Sequence, residues 1–168
     1  NLANHHPRVN ILQPGPGVGG HCIAVDPWFI VTRDPENTKL IRTARDVNDY
    51  KTTWVIDRIK AALAEGHAKS GNKSKIACLG LAFKPDIDDL RGAPALHIAL
   101  TLQSAGYDVL AVEPNINSYE PLSIVSIEEA LNQADIFVLL VKHQQFLMSH
   151  VKCQLADRKC LDFCGALV

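Results

Sequence analysis

The sequence predicts an α/β protein in which a long helix precedes a parallel sheet, and two observations lead to this class. From residue 75 onwards, short apolar runs alternate with helical segments, which is typical of βαβ units whose sheet is covered on both faces. Before them, residues 34–68 repeat apolar side chains close to a 3.6-residue period, which indicates one amphipathic helix. The 168 residues suffice for one ordinary domain or a small domain with an appended helical piece.

A glycine-rich loop at residues 13–22 is the most informative segment before the helix. Gly17, Gly19 and Gly20 allow positive φ angles and close approach of the backbone to a ligand. The spacing Gly15-x-Gly17-x-x-Gly20 matches the dinucleotide fingerprint, which requires a strand before it and a helix opening inside it. Prolines within the run break such a strand, and another proline follows soon after. We therefore interpret the segment as a ligand-contacting loop.

Cys22 stands directly behind this loop, in a segment (residues 1–33) that we predict to be rich in loops. A thiol in that position is typical of a nucleophile. Asp26 follows four residues later, before a proline, and is a good candidate for a helix N-cap.

The long helix is predicted to begin at Asp34-Pro35-Glu36, where an N-cap residue precedes a proline and an acid, and to end at Gly66. Its length exceeds what the core of a small domain requires. Its apolar stripe, which includes Trp54, is therefore expected to meet a partner helix in a two-fold dimer. Packing on the chain's own domain alone is the alternative.

The second half is predicted to be a nucleotide-binding-like domain with a parallel sheet. Its expected strands are Lys75–Phe83, Tyr107–Pro114, Asp135–Val141 and Lys159–Phe163, and its expected helices are Pro94–Gln103 and Ser126–Ala134.

The turn after the first strand lacks the dinucleotide glycines and carries basic side chains instead. Lys84 would lie at the carboxyl ends of the strands, where such sheets bind ligands, and Arg91 follows it. Both can bind a phosphate. The alternative is that both cations pair with the acids of the same loop, Asp86, Asp88 and Asp89.

Composition excludes several classes of function. The formal net charge of −1 offers no electrostatic footprint for nucleic acid or an anionic membrane, and no apolar run approaches the length of a membrane span. The five cysteines include no C-x-x-C pair, so we expect reduced thiols in a cytoplasmic compartment, with Cys78, Cys160 and Cys164 in the core. The scattered histidines predict no metal site. The opening without an initiator Met or a leader suggests a fragment.

Three segments together resemble the UDP-glucose/GDP-mannose dehydrogenase family: residues 15–27, 45–50 and 80–91. Their order and spacing match the central and C-terminal parts of that family. The variant Gly-Gly-His-Cys-Ile-Ala-Val-Asp-Pro-Trp-Phe at residues 19–29 is most similar to the UDP-N-acetylhexosamine branch.

The resemblance implies a division of the chain. Residues 1–68 would form a central catalytic-loop and long-helix segment that makes a homodimer. Residues 69–168 would form a Rossmann-like UDP-sugar-binding domain. The family's N-terminal NAD-binding domain would be absent from the chain.

The resemblance also implies a reaction, the two-step oxidation of a sugar C6 alcohol to a carboxylate with two NAD⁺. Cys22 matches the nucleophile that holds the aldehyde as a thiohemiacetal and then as a thioester, a role for which a soft thiolate is suited. Asp26 matches an aspartate that assists proton transfer and the hydrolytic water.

Other residues match binding positions of the family. Phe83 and Lys84 match contacts to the UDP-sugar, Arg91 an arginine that contacts NAD, and Arg8 an arginine that reaches the nucleotide-sugar of the neighbouring subunit. The glycines of the loop would line the sugar diphosphate, namely Gly15, Gly17, Gly19 and Gly20.

Two positions depart from the family pattern. Val25 replaces a basic residue of the UDP-glucose branch, which argues against UDP-glucose as the substrate. Gly92-Ala93 replaces a Glu-Ser pair, so hydrogen bonds that support Arg91 would be lost. We expect the chain alone to be inactive, and the alternative function is a non-catalytic module for UDP-sugar binding or dimerisation.

Overall fold

The structure is a computed structural model that describes residues 5–6, 8, 13–70 and 74–167, with the backbone alone for residues 66–70. The elements in chain order are α1 (Asp26–Arg33), α2 (Lys39–Ser70), β1 (Lys75–Leu79), α3 (Pro94–Ser104), β2 (Asp108–Val112), β3 (Ser123–Ile124), α4 (Ile127–Gln133), β4 (Ile136–Leu139), a 3₁₀ helix (Gln144–Leu147), α5 (Ser149–Ala156) and β5 (Cys160–Asp162).

All five strands run parallel in the order β3-β2-β1-β4-β5, which confirms the predicted α/β class. Successive side chains of a strand point to opposite faces. Ile76 and Cys78 of β1 therefore pack towards α2 and α3, whereas Ala77 and Leu79 pack towards α4 and α5. The sheet is buried on both faces, which explains why its strands are continuous apolar runs.

Helix α2 begins five residues later than the sequence predicts. Asp34 accepts a hydrogen bond from the Asn37 backbone N–H (3.3 Å), and its carbonyl accepts one from Thr38 Oγ1 (2.6 Å). These bonds close a turn between α1 and α2, so the capping pattern is satisfied outside a helix. The predicted end at Gly66 is also wrong, because the helix continues to Ser70.

The two halves of α2 have different surroundings. The C-terminal half buries Val55, Ile59 and Leu63 against α3 and the sheet. The N-terminal half leaves Val47 and Tyr50 62% and 65% exposed. The single chain thus covers only part of the predicted apolar stripe.

Trp54, at the junction of these halves, contacts the chain's own domain. Its ring meets that of Phe163 edge-on, with centroids 6.1 Å apart, and Lys51 Nζ lies 3.8 Å from its centroid. Trp54 therefore packs partly within the chain and leaves 38% of its surface exposed.

The four predicted strands and α4 follow the prediction with shorter bounds, whereas α3 ends one residue later than predicted, at Ser104. Ser126 caps α4 as expected, with its Oγ accepting from the Glu129 N–H at 3.0 Å. Three elements were missed there, namely β3, the 3₁₀ helix and α5. Strand β3 has two residues and α5 lacks a side-chain cap, so neither carries a clear pattern. Helix α1 lies inside the segment predicted to be rich in loops and begins at Asp26, where the sequence offered a candidate N-cap.

Candidate active site

The glycine-rich loop packs its backbone directly onto the start of α3 and the turn after β1. A Cβ on Gly17, where φ is +147°, would lie 3.2 Å from Pro94 and from Thr52. One on Gly19 would overlap the Gly92 carbonyl oxygen and lie 2.7 Å from Pro94 Cδ. One on Gly20, where φ is +95°, would lie 3.1 Å from the Phe83 ring. Close packing therefore requires glycine at position 19, whereas at Gly17 and Gly20 the positive φ angle and a tight contact together favour glycine.

Helix α2 fixes this loop from the other side. Asn48 Oδ1 accepts a hydrogen bond from the Val18 N–H at 2.7 Å, and Asn48 Nδ2 donates to the Val18 carbonyl at 3.2 Å. One helical turn later, Thr52 Oγ1 donates to the Pro16 carbonyl at 3.1 Å. Sequence reasoning did not assign these roles. The sequence offered one indication of them, because Asn48 and Thr52 are polar, lie four positions apart and therefore share one side of the helix, beside its apolar face.

A cavity of about 380 Å³ lies between the loop and the sheet. Its walls include residues 13–18 of the loop, 82–86 after β1, and 140–142 after β4. The chain passes from β1 to β2 on one side of the sheet and later returns to β4 on the other side. Parallel sheets bind ligands at such a switch point, outside the carboxyl ends of the strands.

Several predicted binding residues meet at this cavity. Phe83, Lys84, Gly15 and Gly17 line it. Gly19 and Gly20 are not among the lining residues and pack against protein instead. Lys84 takes part in none of the ion pairs found among the described residues, so the alternative of a loop ion pair does not hold for it.

A buried acid–imidazole pair holds the turn after β1 in place. Glu113 and His143 are 3% and 1% exposed, and Glu113 Oε2 lies 3.1 Å from His143 Nε2. The same oxygen accepts from the backbone N–H groups of Leu81 (2.7 Å) and Ala82 (3.0 Å). His143 Nδ1 accepts from the Asp86 N–H at 2.9 Å, so the proton of a neutral ring lies on Nε2.

The charge state of Glu113 follows from these contacts. Burial alone would raise the pKa of Glu113, but the hydrogen bonds from His143, Leu81 and Ala82 hold this pKa below its ordinary value. Sequence reasoning missed this pair because its members lie 30 residues apart. The sequence offered one indication that they could meet, because Glu113 follows strand β2 and His143 follows strand β4.

Cys22 is exposed, in the turn that leads into α1, and does not line the cavity. Its carbonyl accepts from the N–H groups of Val25 (2.9 Å) and Asp26 (2.8 Å). Asp26 is the first residue of α1 and its side chain makes no capping bond; Val25 holds the N-cap position. The predicted capping role of Asp26 is therefore wrong, and its exposed carboxylate is free of that bond.

The other thiols differ from Cys22. Burial raises the pKa of Cys78, Cys160 and Cys164 to about 12, which keeps them protonated. Cys78 and Cys164 are buried as predicted, Cys160 is half-buried, and Cys153 is exposed on α5.

Arg91 is paired within its own loop. Its Nε and Nη2 donate to the Asp89 carboxylate at 3.0 and 2.6 Å, which lowers the pKa of Asp89 to about 2. The pKa of Arg91 lies above its ordinary value, chiefly because of Asp89 and to a smaller extent because of Cys22. The alternative of a loop ion pair is thus confirmed for Arg91.

Gly92, one of the positions at which the chain departs from the family pattern, packs against the glycine-rich loop. Gly92 has a φ of +57°, and a Cβ there would lie 3.2 Å from the Gly20 carbonyl oxygen. Two glycine backbones therefore meet where the loop crosses the start of α3. Arg8 lies apart from these contacts, in an exposed turn where its N–H donates to His6 Nδ1 (3.3 Å).

In the part of the chain that the structure describes, no group of three or more His, Cys, Asp or Glu is arranged to hold a metal ion. In the same part, no helix combines the length and the apolar character that crossing a membrane requires.

Known proteins identify the two halves of the chain separately. Residues 1–50 match the central domain of the UDP-glucose/GDP-mannose dehydrogenase family, and residues 77–167 match the UDP binding domain of the same family. UDP-N-acetyl-D-mannosamine dehydrogenase of Escherichia coli (strain K12) is 57% identical, with 86% of this chain covered. NDP-N-acetyl-D-galactosaminuronic acid dehydrogenase of Ralstonia solanacearum is 56% identical over the same share of the chain.

Solved structures agree with these matches. The UDP-N-acetyl-mannosamine dehydrogenase of Staphylococcus aureus superposes on 99% of the chain at 37% identity and a TM-score of 0.74. The UDP-D-ManNAc dehydrogenase of Pyrococcus horikoshii does so at 30% identity and a TM-score of 0.76. The chain spans 37% of the length of the Escherichia coli relative and 39% and 40% of these two structures. The chain belongs to the UDP-glucose/GDP-mannose dehydrogenase family.

Proposed function

We propose that this chain is the nucleophile-bearing and UDP-sugar-binding part of an NAD-dependent nucleotide-sugar 6-dehydrogenase. The substrate would be a UDP-N-acetylhexosamine, with UDP-N-acetyl-D-mannosamine favoured by the names of the relatives. One observation carries the proposal: a cavity with Lys84 on its wall lies at the switch point of the sheet, under a loop that ends at Cys22.

The cavity suits the diphosphate of a nucleotide-sugar. The loop presents Gly15 and Gly17 to it without side chains, so a ligand can approach the backbone closely. Lys84 offers a positive charge, and Phe83 an apolar ring. Gly19, Gly20 and their contacts would hold this wall in place. Arg8 would reach the nucleotide-sugar of a neighbouring subunit.

The chemistry would proceed on Cys22. The C6 alcohol first loses a hydride and a proton and becomes an aldehyde. The Cys22 thiolate then adds to the aldehyde and forms a thiohemiacetal. Loss of a second hydride from that carbon gives a thioester, which water hydrolyses to the carboxylate with release of the thiolate. Asp26 would accept the protons of the alcohol and the water. Cys22 is exposed, as a reactive cysteine has to be to meet its substrate.

NAD, when bound, supplies the acceptor for both hydrides. The described residues could supply one contact to this cofactor, but they do not form a complete binding site for it. Arg91 is exposed and could reach a phosphate, although Asp89 partly neutralises it. The Leu81 and Ala82 N–H groups, which in a dinucleotide turn would face a pyrophosphate, are already bonded to Glu113. A separate NAD-binding domain would therefore be needed, and we expect the chain alone to bind substrate without oxidising it.

A homodimer would complete the molecule. Leu40, Val47 and Tyr50 follow one face of α2 and stay exposed, and Phe29 and Ile30 of the neighbouring helix α1 are exposed too. We take these apolar side chains as the association site, which a two-fold dimer would bury twice. Sedimentation of the chain should reveal a dimer.

The cellular setting follows from the thiols and the product. Five unpaired cysteines suit a reducing cytoplasm. A nucleotide-linked uronate is the form in which such a sugar would enter a surface polysaccharide.

The alternative is a non-catalytic UDP-sugar-binding or dimerisation module, which has no use for a reactive thiol at position 22. Iodoacetamide labelling with mass spectrometric mapping separates the two. We expect Cys22 to be alkylated, and a UDP-N-acetylhexosamine to slow this reaction at least about fivefold, as a bound ligand in excess would. Cys153, exposed on α5, is the internal control, and its labelling should not respond to ligand. An inert Cys22, or one that the ligand does not protect, would favour the module.

A further inference from the structure

A second lysine, which the sequence patterns did not single out, lines the same cavity. Lys142 follows β4 and is half-buried. Its Nζ donates to the Gly165 carbonyl at 2.7 Å, and it takes part in none of the ion pairs found among the described residues. Its hydrogen-bond partner in the structure is thus a neutral carbonyl group.

The position of this ammonium group is fixed by the loop after β5. The Asp162 carboxylate accepts from the backbone N–H groups of Cys164 (2.9 Å), Gly165 (2.8 Å) and Leu167 (2.8 Å). Burial alone would raise the pKa of Asp162, but these bonds hold it below its ordinary value. The loop is thereby ordered, and the Gly165 carbonyl directs Lys142 Nζ.

The thiol beside Lys142 does not neutralise it. Cys164 lines the same cavity, and burial, with a further contribution from Asp162, raises its pKa to about 12. The thiol therefore stays protonated and uncharged at neutral pH.

The charges around the cavity favour an anion. Among the described lining residues, Lys84 and Lys142 are the cations and Asp86 is the acid. The Asp86 carboxylate already has a partner, because its Oδ1 accepts a hydrogen bond from the Gln144 N–H at 2.8 Å. The two lysines belong to different segments of the lining, one after β1 and one after β4.

We propose that Lys142 is a second cationic contact for the diphosphate of the ligand, which would lie between Lys84 and Lys142. This inference rests on the proposed function and specifies it. A nucleotide-sugar diphosphate carries one negative charge on each phosphate, so two lysines match its charge. A lysine binds a phosphate as a point charge, and its removal weakens phosphate binding without affecting the nucleoside.

The test is titration calorimetry of the chain with UDP, inorganic pyrophosphate and uridine. K142M should lower the affinity for UDP and for pyrophosphate about tenfold, which is the effect of losing one charge-assisted hydrogen bond. The affinity for uridine should not change. K142R should retain most of the affinity because it keeps the charge. K159M is the matched control, since Lys159 Nζ also donates to a backbone carbonyl, that of Ala62 at 2.6 Å, but lies outside the cavity.

Each outcome decides the matter. Wild-type affinity for UDP in K142M would overturn the proposal and leave the proposed function standing. Equal losses of UDP and uridine would also overturn it, because they would indicate a structural effect. The wild type could also bind pyrophosphate but not UDP, with K142M abolishing the binding of pyrophosphate. In that case the anion site would be supported, and the assignment of a uridine nucleotide as its ligand would be wrong. If the wild type binds none of these ligands, both fail. Should K142M not fold, K142Q replaces it.

Discussion

The two main walls of the cavity are fixed by different physical means. The glycine loop has almost no side chains at the contact, and its position depends on close packing against Pro94, Gly92 and Phe83. The turn after β1 is held by a buried carboxylate–imidazole pair, Glu113 and His143. Steric fit therefore shapes one wall and electrostatics the other. The position of the glycine loop should therefore be sensitive to added side-chain volume, whereas the stability of the turn after β1 should be sensitive to pH.

The largest effect is expected from G19A. The added methyl group would overlap the Gly92 carbonyl and approach Pro94 Cδ to 2.7 Å, so the loop must move away. We expect a loss of about 3 kcal/mol in the free energy of unfolding, typical of severe overpacking, and loss of UDP binding. Urea denaturation and calorimetry measure the two.

The matched control for this prediction is G15A. Nothing lies within 4 Å of a Cβ at Gly15, so the change in stability should stay below about 0.5 kcal/mol. Indistinguishable stabilities of G15A and G19A would contradict steric control of this wall.

An intermediate effect is expected from E113Q, which presents an amide in place of the carboxylate that binds Leu81 and Ala82. Leaving buried donors unsatisfied should cost about 2 kcal/mol. E65Q, on the exposed surface of α2, is the control and should be neutral.

The pH dependence of stability adds a second readout for Glu113. Because its pKa is depressed in the folded state, its contribution is complete above the ordinary value of 4.5 and is lost as the pH falls through the lower folded value. The wild type should therefore lose more stability on acidification than E113Q. Parallel pH profiles would show that the carboxylate is not charged in the fold.

The smallest effect is expected from N48A, which removes the two hydrogen bonds between α2 and Val18. The loop keeps its packing, so we expect about 1 kcal/mol and a modest loss of UDP affinity. D46A, exposed on the same helix, should change neither quantity. An effect of N48A as large as that of G19A would mean that α2, and not close packing, fixes the loop.

The sequence allowed the sheet half to be predicted well, because each strand buried on both faces is an apolar run between turns. The cap at Ser126 was equally local. Asp34 shows the limit of such reasoning, since its side chain makes the bond that the pattern predicts, but in a turn outside the helix. Glu113 and His143 could not be paired from sequence, because their contact depends on which strands become neighbours.

The candidate site was predictable to a similar extent. The motifs led to Lys84, Phe83 and Cys22, and the structure places the first two at the cavity. Lys142 lay outside any motif, because only the fold brings the end of β4 to the same opening as the turn after β1.

The most direct test of the account is the thermal midpoint of the chain with UDP, UDP-N-acetylglucosamine, GDP and NAD⁺ in parallel. A ligand at 100 times its dissociation constant adds about 2.7 kcal/mol, which raises the midpoint of a domain of this size by several degrees. We predict a shift with the two uridine ligands and none with GDP or NAD⁺. An equal shift with GDP, or no shift with either uridine ligand, would contradict the assignment of this cavity to a uridine diphosphate.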